Sequence, residues 1–231
     1  MNLRTIKYAV KTSMPVILGY LPSGCAFGLM MSGIGQEIIT SFLMAVSIYT
    51  GAGQYMAVDF FKNNASFITI IITTFLINSK HLFYGISLID KFNKAGIKKL
   101  YLIFALTDET YALLTSTKFP KDVKEDWYMF YVALINHCSW IAGCSIGAIF
   151  GSVINFDTTG LDFAMTALFL VILTDQVKVF KDKKPFIIGS VSALVAMMAV
   201  GKGNMLLGGA ILSVIILLIF RKIGFIKDDK C

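Results

Sequence analysis

Eight apolar stretches, each close to the length of a membrane-spanning helix, occupy almost the whole chain. They cover roughly residues 14–35, 38–61, 65–89, 98–117, 127–151, 161–178, 185–200 and 204–220, and are called segments 1 to 8 below. A helix needs about 20 mostly apolar residues to cross a bilayer. A chain of 231 residues that is 56% hydrophobic and 15% charged cannot cover such stretches in water. The sequence predicts an all-α polytopic membrane protein.

Segments 6 and 7 are short, so we expect seven to eight transmembrane segments, one of them re-entrant or strongly broken in the seven-span case. No long polar linker separates the segments. Residues 1–231 are therefore predicted to form a single transmembrane transporter domain, in contact with membrane lipid.

Lysine and arginine side chains indicate the orientation of the chain. If all eight segments cross and the N-terminus is cytoplasmic, 15 of these residues lie inside and five outside, with Lys80 within a segment. The excess predicts a cytoplasmic N-terminus by the positive-inside rule. The loop at 91–99 is the one clear violation. The net charge of +7 thus belongs to loops on one side, and we expect no nucleic-acid partner.

Helix-breaking residues fall near the centres of segments 1 and 2. Pro22 precedes Gly24 in segment 1, and Gly51 and Gly53 precede Gln54 in segment 2. Broken spans expose backbone amides and carbonyls at membrane depth, which only protein or a wet cavity can satisfy. In transporters such half-helix ends hold the charged groups of small substrates. Both breaks are therefore candidate substrate sites, and several segments are predicted to be broken.

Two Gly-x-x-x-Gly motifs have a simpler interpretation, because glycines four residues apart allow helices to approach closely. They comprise Gly24 with Gly28, and Gly143 with Gly147. The motifs lie 119 residues apart, and two shorter similarities recur at offsets of 119 and 121. These offsets suggest a four-plus-four internal repeat whose halves run parallel.

Ionisable residues inside segments 3 and 4 are costly and usually functional. Lys80 lies about ten residues before the end of segment 3, and Asp108 about ten after the start of segment 4, so a hairpin would bring them to equal depth. We predict that Lys80 pairs with Asp108 or Glu109. The alternative is that Lys80 extends to the membrane interface. The carboxylates and His81 are candidate proton-handling groups.

Signatures of catalysis and of bound groups are missing from the sequence. It contains no G-x-x-x-x-G-K-[ST], G-x-S-x-G or H-E-x-x-H motif, and its four cysteines form no C-x-x-C pair. We therefore expect no enzymatic activity, no cofactor and no metal site.

Six motifs in order carry a resemblance to a known family. They are GY-x-P-x-G-x-A-F-G in segment 1, TGAGQY in segment 2, N-x-K-H-L-x-Y-G in segment 3, TDE-x-YAL in segment 4, Trp140-x-x-Gly143 in segment 5 and Asp175-Gln176 in segment 6. The chain resembles the AzlC-like family of branched-chain amino acid permeases, the large subunits of LIV-E type exporters. In that family Arg commonly precedes the histidine of segment 3, where this chain has Lys80, a point charge instead of a bidentate fork.

The resemblance implies export of leucine, isoleucine and valine, with methionine as a further candidate, across a bacterial inner membrane. It also implies a small multi-span AzlD-like partner. The hypothesis is an ion-coupled secondary transporter; a passive channel or facilitator and a non-transporting membrane scaffold are the alternatives. The predicted substrate-binding residues are Pro22, Gly24, Gly51, Gly53, Gln54, Asn78 and Trp140. The predicted coupling residues are Lys80, His81, Asp108 and Glu109.

Overall fold

The computed structural model describes residues 3–116, 123–153, 170, 173–174, 177–178, 182–201 and 205–223. Within these ranges the regular structure is helical and no strand is present, as predicted. The longer helices are α1 (Leu3–Gly33), α2 (Ile38–Ser47), α3 (Gly51–Lys62), α4 (Phe67–Asn78), α5 (Lys80–Asn93), α6 (Lys98–Phe104), α7 (Asp108–Ser116), α8 (Glu125–Val153), α9 (Lys184–Val200) and α10 (Met205–Lys222).

Two of the described helices, α1 and α8, are long and apolar enough to cross a membrane. The consecutive stretches Phe67–Leu82 and Tyr84–Asn93 qualify as a third span if they are counted together. This number is lower than the predicted seven to eight, which are not confirmed. The chain divides into one compact unit of Met1–Ala65 with Ile77–Ala164, and a second of Ser66–Leu76 with Met165–Cys231.

Helix α1 runs without interruption through Pro15 and Pro22, so the predicted break at Pro22–Gly24 is wrong. A proline removes one amide donor and crowds the preceding turn. A membrane-embedded helix tolerates this loss where its neighbours compensate. Pro22 lies on the exposed face of α1, whereas Gly24 lies on the opposite, buried face against α8. Packing of that buried face keeps α1 continuous.

Helices α1 and α8 run parallel along most of their length. Near their N-terminal ends the hydroxyls of Thr12 and Tyr128 lie 2.5 Å apart. Near their C-terminal ends a Cβ on Gly151 would lie 2.6 Å from the Cβ of Ser32. The two helices therefore cross the unit in the same direction.

Glycines bring the backbones of α1 and α8 into contact. A Cβ on Gly28 would lie 2.2 Å from the carbonyl oxygen of Cys144, and one on Gly147 would lie 2.0 Å from that of Cys25. No side chain fits at either position without separating the helices. The close-packing interpretation of the two Gly-x-x-x-Gly motifs is confirmed. The contacts are reciprocal, but segment 6 falls largely outside the described residues, and the internal repeat stays a prediction.

Segments 2, 3 and 4 are each divided into two helices near their centres. Segment 2 is interrupted at residues 48–50, segment 3 at Ser79 and segment 4 at residues 105–107. The break predicted before Gln54 is confirmed, because α3 begins at Gly51. The other two breaks contain neither glycine nor proline and were not predicted.

Helices α2 and α3 form a hairpin, called hairpin A, with residues 48–50 as its tip. The chain leaves the C-terminal end of α1 and returns along α2 to the middle of α1, where the ring of Tyr49 lies 6.4 Å from that of Tyr20. Helix α3 then turns back, because the ring of Tyr55 lies 5.9 Å from that of Phe27, two turns further along α1. Hairpin A thus starts and ends towards the C-terminal end of α1.

Helices α6 and α7 form a second hairpin, hairpin B, with residues 105–107 as its tip. Helix α6 starts beside the first turn of α8, where Lys98 Nζ lies 2.7 Å from an Asp126 carboxylate oxygen. It runs parallel to α8, since the hydroxyl of Tyr101 lies 2.9 Å from Nδ1 of His137. The tip reaches the middle of α1, where Thr107 contacts Tyr20.

Helix α7 leads the chain back from the tip of hairpin B. It runs parallel to α5, because Lys80 contacts Asp108 at one end and Lys91 donates to the carbonyl of Leu114 at the other. Helix α5 ends at Asn93, shortly before α6 begins. Hairpin B therefore starts and ends towards the N-terminal ends of α1 and α8.

The second unit contains two apolar helices, α9 and α10, that lie against each other. A Cβ on Gly209 would lie 3.1 Å from the Cα of Ala193, so these helices are also in close contact. Asp175 and Gln176, which contributed to the family resemblance, lie outside the described residues.

Candidate functional site

The breaks of segments 2, 3 and 4 meet beside the centres of α1 and α8. The hydroxyl of Thr50, in the tip of hairpin A, donates to the side-chain oxygen of Asn78, immediately before the break in segment 3. Lys80, immediately after that break, contacts Asp108 at the start of α7. The break in segment 3 is thereby bound to both hairpin tips, and the residues predicted separately from three segments form one cluster.

The N-terminus of α3 has no side-chain cap. Thr50 occupies the N-cap position, but its hydroxyl is directed to Asn78. Gly53 makes room for this arrangement, since a Cβ there would lie 2.8 Å from Cγ2 of Thr50. The first amides of a helix lack intrahelical partners and carry a partial positive charge. The first turn of α3 therefore suits a carboxylate.

Trp140 of α8 lies against this first turn. Its indole carbon would be 3.5 Å from a Cβ on Gly51, and its Nε1 donates to the side-chain oxygen of Gln54 over 2.5 Å. Gln54 is fully buried, and its amide nitrogen has no partner among the described residues. A buried amide without a partner costs about 1–3 kcal/mol. This nitrogen is a donor available to a bound molecule.

Tyr20 connects α1 to hairpin B. Its hydroxyl lies 2.7 Å from that of Thr107 and donates to a carboxylate oxygen of Glu109 over 2.6 Å. Thr107 in turn donates to the hydroxyl of Thr110. The carboxylate of Glu109 therefore has a neutral hydrogen-bond donor from α1, while the rest of its side chain is exposed.

Asn136 of α8 extends this network from the other side. Its amide nitrogen donates to the hydroxyl of Thr110 over 3.0 Å. Asn136 is fully buried, and its amide oxygen has no partner among the described residues. The site thus holds a free buried acceptor on α8 in addition to the free donor of Gln54.

The predicted ion pair between segments 3 and 4 is present. Lys80 Nζ lies 2.5 Å from one carboxylate oxygen of Asp108, and the hydroxyl of Tyr84 donates to the other over 3.1 Å. Lys80 therefore contacts Asp108 and not Glu109. An unpaired charge at membrane depth is costly, and the pairing offsets that cost. The two adjacent carboxylates have different partners, one cationic and one neutral.

The two histidines are bound by ordinary hydrogen bonds. Nδ1 of His81 lies 3.1 Å from the carbonyl oxygen of Asn78, and Nε2 of His137 lies 3.2 Å from that of Ala45. Across the described residues, no group of three or more His, Cys, Asp or Glu side chains could hold a metal ion.

Two of the predicted substrate-binding residues do not belong to the cluster, and two residues that were not predicted do. Pro22 is exposed and Gly24 is enclosed by α8, so neither provides an open helix end. Tyr20 and Thr50, by contrast, are central to the network. The available signal was a hydroxyl next to a helix-breaking motif, as in GY-x-P and YTGAG, but it was weaker than that of a charged residue.

Comparison with known proteins bears on the same part of the chain. Residues 15–154, which include α1, all three breaks and α8, match the family model described as AzlC protein. The chain belongs to the AzlC family. The resemblance drawn from six sequence motifs is thereby confirmed.

Several known proteins are similar along most of this chain. A Bacillus subtilis protein described as branched-chain amino acid transport protein AzlC is 37% identical, over 91% of this chain and 83% of its own length. An uncharacterized membrane protein of Helicobacter pylori strain J99 is 35% identical over 95% and 96%. The inner membrane protein YgaZ of Escherichia coli is 30% identical over 64% and 62%. These descriptions name transport and membranes, not an enzymatic reaction. No solved structure matches the chain.

Proposed function

We propose that this AzlC-family chain is the large subunit of a secondary transporter that exports branched-chain amino acids, with methionine as a further candidate. Membership of the family supports the proposal, as does the transport function named for the Bacillus subtilis relative. The structural observation that carries it is the uncapped N-terminus of α3 next to the unpartnered, buried amide of Gln54. A zwitterionic amino acid has the groups to satisfy both.

The substrate carboxylate binds at the first turn of α3, formed by Gly51 to Gly53, with the amide nitrogen of Gln54 as a further donor. The partial positive charge at the N-terminus of a helix stabilises a negatively charged group. The apolar side chain of the substrate lies against Trp140, which already borders Gly51. Asn78 holds the hydroxyl of Thr50 away from the amides of α3 and so keeps the helix end open. Pro22 and Gly24 contribute only by packing.

Glu109 binds the substrate ammonium or takes up the coupling proton. Asp108 is committed to Lys80, whereas Glu109 has only the neutral hydroxyl of Tyr20 and keeps an exposed side chain. A carboxylate with a neutral donor can gain and lose a proton without leaving a buried cation unpaired. His81, next to Lys80, completes the set of coupling residues. The driving ion is most simply a proton.

The transporter lies in a bacterial inner membrane, with a cytoplasmic N-terminus and seven to eight membrane-embedded segments in two parallel halves. The charge distribution, the membrane relatives and the reciprocal α1–α8 contacts support this arrangement. A small multi-span AzlD-like subunit completes the complex. We expect no cofactor; the proposed ligands are the amino acid substrate and the coupling ion.

Leucine efflux from preloaded cells that express this chain with its partner subunit tests the proposal. We expect export against a gradient, abolished by a protonophore, and lost when Glu109→Gln removes the titratable group. Glu37→Gln, the same change in an exposed position between α1 and α2, is the matched control and leaves efflux unchanged.

Three outcomes contradict this mechanism. Equilibration without accumulation identifies a passive facilitator. Normal efflux after both Asp108→Asn and Glu109→Gln removes the carboxylates from the mechanism. Absence of any leucine movement, with both subunits present in the membrane, supports the non-transporting scaffold.

A further inference from the structure

The two helical hairpins of the first unit approach its centre from opposite ends. Hairpin A starts and ends towards the C-terminal end of α1, and hairpin B starts and ends towards its N-terminal end. Both tips reach the middle of α1, where Tyr20 contacts Thr107 by hydrogen bond and Tyr49 by ring packing. Each hairpin therefore returns to the end from which it came.

We infer that hairpins A and B are re-entrant: segments 2 and 4 enter the membrane from opposite faces, meet at their tips and leave by the face they entered. Between α1 and α8, only segment 3 then crosses from one face to the other. This inference rests on the geometry of the first unit and is independent of the proposed transport function.

Helix length supports the re-entrant arrangement. Helices α2 and α3 have 10 and 12 residues, and α6 and α7 have 7 and 9. At 1.5 Å per residue these helices reach about 10–18 Å, roughly half of a hydrocarbon core of about 30 Å. Each helix is too short to cross, and α2 and α3 are long enough to reach the membrane centre.

Polar side chains at each tip are bound by protein, which offsets the cost of placing them at membrane depth. Thr50 of hairpin A is bound to Asn78, before the break in segment 3, and Asp108 of hairpin B is bound to Lys80, after it. The interrupted part of the crossing segment thus lies between the two tips.

The charge distribution gives independent support. If segments 2 and 4 both crossed, the lysines and arginines described up to residue 153, apart from Lys80, would be divided five to four between the two faces. With both hairpins re-entrant, Lys62 lies alone on one face and eight lie on the other. These eight are Arg4, Lys7, Lys11, Lys91, Lys94, Lys98, Lys99 and Lys124. The loop at 91–99 no longer violates the positive-inside rule, because it joins the N-terminal face.

Single cysteine probes distinguish the two arrangements. The pair Asn63→Cys, between α3 and α4, and Lys94→Cys, between α5 and α6, exchange faces between the re-entrant and the fully crossing topologies. Glu37→Cys and Lys124→Cys keep their faces in both and serve as references. All four positions are exposed in the described chain. The readout is labelling of intact cells by a membrane-impermeant maleimide, above the labelling of the parent chain, and again after permeabilisation.

We expect Asn63→Cys to label together with Glu37→Cys in intact cells. Lys94→Cys and Lys124→Cys should both remain unlabelled in intact cells and become labelled after permeabilisation. The opposite grouping, Asn63 with Lys124 and Lys94 with Glu37, overturns the inference. Labelling of Lys124→Cys in intact cells would show that one hairpin alone crosses the membrane: hairpin A if Asn63→Cys is then protected, and hairpin B if Asn63→Cys is labelled. Either result makes that half of the inference wrong. Labelling requires no substrate, so these results hold whether or not the chain exports leucine.

Discussion

The α1–α8 interface and the adjacent cluster of helix breaks use glycine in opposite ways. At the interface, a Cβ on Gly28 or Gly147 would overlap the backbone of the other helix, so nothing can enter between them. At the start of α3, a Cβ on Gly51 would only touch the indole of Trp140 at 3.5 Å. The first region is closed by backbone contact, and the second leaves polar groups of the backbone and of Gln54 without partners.

The difference indicates that the α1–α8 interface is a rigid frame, whereas the adjacent cluster of helix breaks is able to exchange its contacts. Close packing of two parallel helices has few alternative arrangements. The breaks, by contrast, are joined through single hydrogen bonds and one ion pair, which can be exchanged for bonds to a substrate. We expect substitutions in the frame to affect stability and substitutions at the breaks to affect transport.

The largest effect on stability is expected for Gly147→Ala. The new methyl would lie 2.0 Å from the carbonyl oxygen of Cys25, a backbone atom that cannot move without α1. Overpacking of this kind costs about 3 kcal/mol, the upper end of the usual range. The measurement is the thermal unfolding midpoint of the purified protein in detergent. Gly19→Ala is the matched control, because nothing lies within 4 Å of its Cβ position. Equal midpoints would show that the frame is not close-packed.

The next largest effect is expected for Asp108→Asn, which leaves Lys80 without its anionic partner. Removing one member of a fully buried pair costs about 3–5 kcal/mol. Here the side chains are 37% and 29% exposed, so we expect about 2 kcal/mol. The double variant Lys80→Met/Asp108→Asn should recover part of the loss of unfolding free energy, without recovering leucine efflux. A double variant as unstable as the single one would contradict the pairing.

The ion pair and one of the breaks could be predicted from the sequence, because their signals are local. Lys80 and Asp108 lie at equal distances from the same loop, and Gly51 and Gly53 weaken the helix where they occur. The break predicted at Pro22 does not form, because α8 holds the other face of α1 in place. The outcome at Pro22 depends on tertiary packing, which one sequence does not reveal.

The hairpins could not be predicted, for a related reason. Helices α2 and α3 together have the length and hydrophobicity of one spanning helix, so an apolar stretch cannot distinguish a crossing from a return. Residues 105–107, Ala-Leu-Thr, contain no helix breaker either. The contacts of Tyr20 and Tyr49 with elements distant in sequence reveal the reversal. The lysines at 91–99 were the sequence evidence against full crossings by segments 2 and 4.

A smaller effect is expected for Tyr20→Phe. The substitution keeps the ring contacts with Tyr49 and Trp140 and removes only the hydroxyl that bonds Thr107 and Glu109. Loss of these bonds should lower the unfolding free energy by about 1 kcal/mol. Leucine efflux should also fall, because Glu109 then loses its only described donor. Tyr8→Phe, at an exposed position of the same helix, is the control for both measurements. Unchanged efflux would show that Tyr20 only connects the helices.

The smallest effect on stability is expected for Gly51→Ala, and it tests the comparison most directly. The added methyl makes an ordinary contact with Trp140, and alanine favours a helical start, so the unfolding free energy should change by less than about 0.5 kcal/mol. Leucine efflux should nevertheless fall, because the methyl covers the amides that are proposed to bind the carboxylate. Substitution by alanine would then destabilise the protein at position 147, whereas at position 51 it would reduce transport without destabilising the protein. If Gly51→Ala leaves efflux intact, the start of α3 is not the carboxylate site.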